Sequence, residues 1–226
     1  MVGALVTADL PPGQREVPRA PRFGLPGYIA RVPEVPAAPT LRIDGAVRTA
    51  VERPVAEIEL APVEQVSDLH CVTSWSARGL RWRGWPLREV LAALVEPTAE
   101  AEQIRVRGAD GFRARLRLED ALAADVLLAT HLDGEPLTVL HGAPLRPVTP
   151  AHYGYKSVKH VIRITLERAD APFRFGAPGW MEHPRARVAL EERGGLPPWL
   201  LRHLFRPFIG PIARQAERAL RRAGQR

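Results

Sequence analysis

Two stretches of the chain, HCVTSWSARGLRWRGWPLREVL (residues 70–91) and DGEPLTVLHGAPLRPVTPAHYGYKSVKHV (residues 133–161), contain its least common residues. The first contains the one cysteine, Cys71, and the second contains both lysines, Lys156 and Lys159, of a chain with 32 basic residues. An ammonium and a guanidinium are not interchangeable at a tight anion site. Two lysines three residues apart therefore indicate an anion site in the second stretch, with chance placement as the alternative.

Cys71 lies where an apolar-alternating run, residues 66–72, enters a polar loop. A lone cysteine is most often a small buried hydrophobe. It can also be a nucleophile activated by His70, although neighbouring residues of a strand face opposite sides. The third alternative is a thiolate ligand to a soft metal whose other ligands come from a cofactor. A single cysteine excludes an internal disulfide and any site built from several cysteines.

The second stretch has the residue types of an anion cradle. Gly and Ser allow the backbone to approach an anion closely, Arg146 supplies a forked donor, and a lysine supplies a point charge. The stretch matches neither GxxxxGK[ST] nor GxGxxG, and the chain has no HExxH or GxSxG. On these residues alone, a solvated charged loop is the simpler interpretation.

The pattern along the chain predicts three parts. Residues 1–40 form an extended arm, because eight prolines prevent a long helix or a central strand there. Residues 41–170 form the body, and residues 171–226 form a C-terminal extension. In the body we predict strands at 41–43 and from 47 (joined by a tight turn at Asp44-Gly45), 55–60, 66–72, 126–132, 145–149 and 161–166, a hairpin of 104–107 with 112–118, and helices after Pro86 and at 119–124. This pattern predicts an α+β fold with mixed β-sheets.

The positive charge lies in the extension. From Arg185 onward there are ten arginines against three glutamates, a net charge of +7, whereas residues 1–184 are neutral. Apolar residues recur at helical spacing after residue 197, and Pro207, Gly210 and Pro211 divide the run into two short helices. Such a basic amphipathic segment, residues 197–226, can pack on the body or contact a membrane surface, and we favour packing.

Composition excludes several protein classes. With 226 residues, 46% of them hydrophobic and 25% charged, the chain is long and apolar enough to form one globular domain with arms. It has no apolar run long enough to span a membrane, and its first residues lack a basic region before a short apolar run, so we predict no signal peptide and a cytoplasmic location. A neutral body argues against a nucleic-acid partner.

Taken together, the two stretches resemble the molybdopterin-binding domain of the sulfite oxidase family. The resemblance covers about residues 10–170 and rests on the order, spacing and residue types of the two stretches. The chain is similar to short bacterial members that resemble the catalytic subunit of the periplasmic methionine sulfoxide reductase. The resemblance implies a sulfite-oxidase-type α+β fold with mixed β-sheets, and one molybdenum–molybdopterin cofactor.

The resemblance also implies a set of site residues. Cys71 matches the cysteine that completes the sulfur ligation of the metal, which makes it both the metal ligand and the expected catalytic residue. Arg146, Ser157, Val158 and Lys159 match positions that contact the pterin and its phosphate, and Lys156 is included with them. His141 and Arg22 match two further cofactor-contacting positions, Arg22 through its backbone.

The implied activity is oxygen-atom transfer by a molybdopterin-dependent oxidoreductase. We expect reduction of a sulfoxide or N-oxide, because a cytosolic monomer without haem lacks an evident electron exit. Sulfite oxidation is the alternative, favoured if Arg78, Arg81 or Arg83 surround the metal. A non-catalytic or membrane-docked member of the same fold is a further alternative. We also expect a small-molecule substrate, a separate electron-transfer partner and a monomer, because the second, dimerising domain of sulfite oxidases is not recognised.

Overall fold

The computed structural model describes residues 9–18, 24–174, 178–205, 207 and 209–224. Within these residues, eleven strands form two mixed β-sheets. The strands are β1 (Arg15–Glu16), β2 (Thr40–Gly45), β3 (Val51–Pro54), β4 (Val63–His70), β5 (Trp75–Pro86), β6 (Gln103–Gly108), β7 (Arg113–Arg117), β8 (Leu127–Leu132), β9 (Glu135–Pro136), β10 (Arg146–Val148) and β11 (Val161–Glu167). The predicted α+β class with mixed sheets is therefore confirmed.

The two sheets have different strand orders. One sheet runs β1-β5-β8-β10, with β4 paired to β5 and β9 paired to β8. The other runs β3-β2-β11-β6-β7. The pairs β1–β5 and β2–β11 are parallel, and the remaining pairs are antiparallel. β4 and β5 therefore form a hairpin whose loop, residues 71–74, projects from the edge of the first sheet.

Five helices accompany the sheets in the described part of the chain: α1 (Pro26–Ile29), α2 (Leu87–Leu94), α3 (Leu118–Ala121), α4 (Pro198–Phe205) and α5 (Ile209–Arg222). Short 3-10 turns occur at Val55–Glu57 and Gly179–Met181. The largest cluster of buried side chains lies between the second sheet and α2, where Leu87, Val90 and Leu91 face inward as their spacing predicts. Pro86 immediately precedes this helix and ends β5.

The alternation of apolar and arginine residues at 112–118 predicts the observed hairpin. β6 and β7 pair in antiparallel register, Ala114 and Leu116 are buried, and the arginines that alternate with them are half-buried at 113 and 115 and exposed at 117. By contrast, the sequence does not predict the twelve-residue strand β5, because its glycines and arginines interrupt the usual strand composition. Gly84 has a packing reason, since a Cβ there would lie 2.2 Å from the carbonyl oxygen of Leu128 on β8.

Two local predictions are wrong. Residues 55–60 contain a 3-10 turn in place of a strand, because Pro54 and Pro62 flank them and the Val55 amide bonds to Pro39 outside any ladder. Asp44-Gly45 is not a tight turn and remains in β2. The buried Asp44 carboxylate accepts hydrogen bonds from Arg163 and Thr165 of β11, so pairing with a distant strand keeps this dipeptide in β2.

The C-terminal extension forms the two helices that its sequence predicts, and they pack on the body. Leu201, Phe205 and Ile212 are buried, and α5 packs against α1. Trp199, Leu200 and Leu204 of α4 remain exposed. Among the helices of the described residues, none is both long and apolar enough to cross a membrane.

Candidate functional site

A cavity of about 460 Å³ lies at the loop of the β4–β5 hairpin. Five parts of the chain meet around it: the β4–β5 hairpin loop, the turn between β6 and β7, the residues on either side of β10, the segment containing α1, and the C-terminal extension. Its wall is mainly apolar and aromatic, and it includes Cys71 and the two cations Arg146 and Lys159. The arrangement can enclose a flat organic group that carries an anion at one end.

Cys71 is half-buried in this wall, at the first position of the hairpin loop. The loop is closed by hydrogen bonds from the Cys71 amide to the Trp75 carbonyl, 2.7 Å, and from the Ser74 amide to the Cys71 carbonyl, 3.0 Å. The sulfur lies 3.1 Å from Oγ1 of Thr73. A short hairpin loop thus presents the one sulfhydryl to the cavity, which the interpretation as a fully buried hydrophobe does not predict.

Burial raises the pKa of the Cys71 thiol to about 11, although the Thr73 hydrogen bonds and the positive charge of Arg193 act in the opposite direction. A thiol with this pKa is a poor nucleophile at neutral pH. Metal coordination would remove the proton, because the thiolate is the form that binds metals. The raised pKa argues against the nucleophile alternative for Cys71, and the metal-ligand alternative stays a prediction.

His70 does not serve as a base for Cys71. Its Nδ1 lies 2.8 Å from the Ser76 hydroxyl, on the face of the strand opposite the cavity residue. Burial lowers the pKa of His70, so the ring is neutral at pH 7. Ser76 in turn donates to the Gln14 side chain, 3.1 Å, which completes a separate buried polar chain.

Arg146 is buried on the cavity wall without a carboxylate partner among the residues that the structure describes. Its Nη1 donates to the His141 carbonyl, 3.0 Å, and its Nη2 donates to the Ser157 carbonyl, 3.3 Å. Its Nε has no partner, and the guanidinium lies 5.2 Å from the centre of the Trp82 ring. Burial lowers the pKa of Arg146 to about 10. A buried cation held by two carbonyl oxygens and an aromatic ring, with no carboxylate, is well suited to pair with an anionic ligand.

The two segments of the predicted cradle pack directly on each other. The His160 amide donates to the Gly142 carbonyl, 3.0 Å, and Lys159 Nζ donates to the Leu140 carbonyl, 2.9 Å. Gly142 has a φ of +105°, and a Cβ there would lie 3.0 Å from the Lys159 Cβ. Glycine is therefore required for this close approach, which brings His141 and Lys159 to the same cavity.

The structure brings most of the predicted cofactor contacts together. Cys71, Arg146, His141, Ser157, Val158 and Lys159 all line the cavity. The Ser157 hydroxyl is 3.0 Å from Oγ1 of Thr149, so this side chain also fixes the loop between β10 and β11. Arg22 lies outside the described residues, and its contact stays a prediction.

Lys156 is placed differently from its neighbours. It is fully buried and does not line the cavity, and its ammonium donates to Glu182, 3.1 Å, and to the carbonyls of Arg115 and Pro184, each 2.9 Å. The expectation that its ammonium contacts the cofactor is not supported by this placement. Lys156 instead joins the second stretch to the C-terminal extension.

Sequence reasoning missed one wall of the cavity. Trp180, Met181, Phe205 and Ile212 of the C-terminal extension line it opposite the cradle. The rings of Trp180 and Phe205 are stacked, with centroids 6.1 Å apart and an interplanar angle of 14°. The helical spacing of Phe205 and Ile212 signals a packed face, but nothing in the sequence indicates which surface that face covers.

No group of three or more His, Cys, Asp or Glu side chains able to hold a metal ion occurs among the described residues. Cys71 is the one cysteine that this cavity could offer to a soft metal, and a site built on its thiolate would take further ligands from a cofactor. That ligand set is the one expected where a dithiolene supplies the other sulfur atoms.

The family comparison matches residues 29–175, about two thirds of the chain, to the model described as the oxidoreductase molybdopterin binding domain. Two relatives carry the name protein-methionine-sulfoxide reductase catalytic subunit MsrP. The Xanthomonas axonopodis protein is 37% identical over 120 residues, covering 46% of this chain and 37% of that protein. The Pseudomonas syringae protein is 34% identical over 148 residues, covering 56% and 43%.

A Bacillus subtilis protein named as an uncharacterized oxidoreductase, YuiH, is 37% identical over 109 residues, covering 48% of this chain and 54% of that protein. The crystal structure of the sulfane dehydrogenase SoxCD from Paracoccus pantotrophus matches with a TM-score of 0.55 and 21% identity, covering 60% of this chain and 40% of that one. This last similarity concerns the fold alone. The chain spans about a third to a half of the length of these curated relatives.

Proposed function

We propose, on the premise that this chain belongs to the family of oxidoreductase molybdopterin-binding domains, that it catalyses oxygen-atom transfer and reduces an organic sulfoxide. The observation that carries the proposal is a mainly apolar cavity with one cysteine sulfur on its wall and a buried, carboxylate-free arginine beyond it. The similarity to proteins named as methionine sulfoxide reductases supports a thioether S-oxide as the substrate class.

The residues on the cavity wall fit a molybdopterin. Cys71 would hold the metal, and Arg146, Lys159 and the Ser157–Val158 backbone would hold the pterin and its phosphate. The unpartnered Nε of Arg146 is the observation that tests this fit, because a phosphate would satisfy a buried donor that the described residues leave unsatisfied. When bound, the cofactor supplies two-electron oxygen-atom transfer, a chemistry that no side chain provides.

The same wall favours an organic sulfoxide over sulfite. Sulfite is a dianion and requires cations, but Arg78, Arg81 and Arg83 do not line the cavity. Arg78 lies near Asp68 and Glu16, whereas Arg81 and Arg83 are exposed on β5. An apolar wall that includes Trp180 and Met181 instead accommodates the carbon substituents of a neutral sulfoxide.

The overall reaction converts a sulfoxide, two electrons and two protons into a thioether and water. In this reaction, the protein's residues would bind and orient the substrate and the cofactor, and the apolar wall would exclude bulk water. The Cys71 loop would hold the sulfur ligand, and Arg146, Lys159 and the Ser157–Val158 backbone would hold the pterin and its phosphate. The electrons come from a separate donor.

The first experiment measures molybdenum in protein purified from a host that makes molybdopterin. We expect about one molybdenum per chain, since one cysteine supplies one protein ligand. The loaded protein should reduce a dialkyl sulfoxide with reduced viologen as donor. Faster oxidation of sulfite than reduction of any sulfoxide or N-oxide would contradict the substrate class, and absence of both metal and pterin would contradict enzymatic function.

Cys71→Ser tests the metal ligand. We expect the variant to keep the thermal unfolding midpoint of the metal-free chain within a few degrees and to lose turnover, because a hydroxyl is a poor ligand for a soft metal. Thr73→Val is the matched control, since it removes the hydroxyl nearest the sulfur and keeps the sulfur itself. Turnover retained by Cys71→Ser would exclude ligation by Cys71.

Residues 197–226 are proposed to contact an anionic membrane surface peripherally. Although α4 and α5 bury one face on the body, Trp199, Leu200 and Leu204 form an exposed apolar arc on α4. On α5, Arg214, Arg218 and Arg222 line an open groove of about 700 Å³ against the arm. None of these three has a carboxylate within salt-bridge distance in the described part of the chain. A basic amphipathic segment with exposed tryptophan and leucine is typical of an interfacial contact.

We infer that the protein works as a monomer in the cytoplasm, and that its parts are an arm at 1–40, a cofactor-binding body at 41–170 and a C-terminal extension at 171–226. The cavity supports a functional connection between these parts, because the arm and the extension both contribute to its lining.

A further inference from the structure

Arg193 is a fully buried arginine of the C-terminal extension that lies against the Cys71 loop. Its Nη1 donates to the Val72 carbonyl and, at 3.0 Å, to the Ser74 hydroxyl. Its Nη2 lies 3.4 Å from the Pro12 carbonyl and 3.3 Å from a Glu191 carboxylate oxygen. The Arg193 guanidinium thus bonds to two residues of the Cys71 loop, Val72 and Ser74, although about 120 residues separate it from them in the sequence.

The Cys71 loop has a conformation that needs support from its surroundings. Ser74 has a φ of +76°, in the left-handed region that a non-glycine residue adopts at an energetic cost. The loop's own hydrogen bonds join Cys71 to Ser74 and Trp75 and leave the Val72 carbonyl to Arg193. From the other side, Gln14 Nε2 donates to the Cys71 carbonyl, 3.2 Å. The loop is therefore fixed by side chains from the arm and from the extension.

The Arg193 side chain is itself held in place. Glu191 has its backbone in the left-handed region, with φ +52°, and its carboxylate accepts hydrogen bonds from both Arg193 and Arg202 of α4. The Arg193 guanidinium also lies 5.2 Å from the centre of the Tyr153 ring. Because Arg202 remains paired to Glu191, replacing Arg193 does not leave a buried carboxylate without a partner.

We propose that Arg193 is a positioning residue for Cys71, so that residues outside the matched family domain fix the orientation of the metal ligand. Arg193 and Gln14 both lie outside residues 29–175. Because a misplaced ligand weakens metal binding even when the ligand is intact, such outer contacts are part of the site. The role of Cys71 as ligand rests on the proposed function, whereas the support of its loop by Arg193 does not.

The test compares Arg193→Met with Arg185→Met in metal-free, full-length protein. Arg185 belongs to the same extension and pairs with Asp120 at 3.0 Å, but it does not contact the Cys71 loop. Hydrogen–deuterium exchange of a peptide covering residues 71–76 is the readout. We expect Arg193→Met to accelerate exchange there by about tenfold, because a buried charge-assisted hydrogen bond is lost. Arg185→Met should leave this peptide unchanged.

Two further variants keep the proposal testable if Arg193→Met does not fold. Arg193→Lys retains the charge and can reach one acceptor, so its exchange should lie between those of the wild type and Arg193→Met. Ser74→Ala removes one acceptor only and should give a smaller acceleration in the same peptide. Wild-type exchange in all of these variants would overturn the proposal.

The loaded protein provides an independent readout. Arg193→Met should lower the molybdenum content per chain and shift the electron paramagnetic resonance of the Mo(V) state in the molecules that retain metal. A purely structural role would lower the yield of folded protein without shifting the resonance. If wild-type protein binds no molybdenum, the proposed function fails, whereas the exchange measurement still decides whether Arg193 supports the loop.

Discussion

Arg146 combines burial, positive charge and the absence of a carboxylate partner in the described residues, a combination that folding alone does not favour. Transfer of a cation from water into a protein interior is unfavourable unless a counter-charge accompanies it. Two carbonyl oxygens and the Trp82 ring compensate in part. The remaining penalty is consistent with a residue retained for an anionic ligand.

We predict that Arg146→Met loses the cofactor and changes stability little. Molybdenum content should fall at least about tenfold, since the phosphate loses a charge-assisted, forked donor. The free energy of unfolding of the metal-free chain should change by less than about 2 kcal/mol, because removing a buried unpaired charge offsets two lost hydrogen bonds. Urea denaturation and elemental analysis measure the two quantities.

Arg105→Met is the control for this variant. Arg105 pairs with Glu167 on β11, away from the cavity. Its replacement should reduce stability and leave molybdenum content unchanged. The opposite result, in which Arg146→Met unfolds easily but keeps its metal, would identify Arg146 as structural.

At the residue scale, the family resemblance of the two stretches implies the cofactor contacts of His141, Ser157 and Lys159, whereas the residues of the second stretch alone indicate no more than a charged loop. The sequence does not distinguish Lys156 from Lys159, since both are lysines three residues apart in one loop. Their environments differ through Glu182, which is 26 residues away from Lys156 in the sequence and is brought to it only by folding. Arg193 carries no local signal for the same reason.

Elements separate into those with local causes and those with distant ones. The β6–β7 hairpin and helix α2 follow from alternation and helical spacing within one segment, and both are predictable. β5 depends on pairing with β4 and β8, and the inclusion of Asp44-Gly45 in β2 depends on β11, so neither can be inferred from its own residues. The cavity wall formed by the C-terminal extension has the same kind of distant cause, because Phe205 of α4 and Ile212 of α5 reach the cavity only when the extension packs on the body.

The junction between the β10–β11 loop and the extension depends on Lys156. Burial lowers the pKa of Lys156 to about 8, although Glu182 acts in the opposite direction. The unfolded chain keeps a lysine pKa near 10.5. Between these values the unfolded chain binds more protons than the folded one, so stability rises with pH. Below pH 8 both states are protonated and the penalty is fully present.

We predict that Lys156→Met abolishes this rise. The wild-type free energy of unfolding should increase relative to that of the variant between pH 8 and about 10.5, by at most about 1.4 kcal/mol per pH unit. Urea denaturation of both proteins at several pH values measures the difference. The contributions of groups present in both proteins, such as Cys71 and Tyr155, cancel in this difference between the two free energies of unfolding. A difference that stays constant with pH would show that Lys156 has an ordinary pKa.

For the whole molecule, the uneven charge has a structural counterpart. The extension carries the entire net charge of +7 in its residues from 185 onward, and it also closes one side of the cavity. The apolar face of the extension, with Leu201, Phe205 and Ile212, is buried on the body. Its other face exposes apolar side chains of α4 and arginines of α5. The C-terminal extension therefore contributes both to the cavity wall and to an exposed surface that a partner can contact.

If the extension contacts a membrane, binding to vesicles should depend both on lipid charge and on the exposed apolar side chains of α4. Full-length protein should sediment with vesicles containing anionic lipid and not with neutral vesicles, because the arginines contribute electrostatic attraction that salt screens. Replacing Trp199, Leu200 and Leu204 together by serine should abolish sedimentation. These side chains are exposed, Trp199 by 64%, so their loss should leave the thermal unfolding midpoint within a few degrees. Equal sedimentation of this variant and the wild type would exclude insertion of α4, and sedimentation of neither with anionic vesicles would exclude the membrane contact.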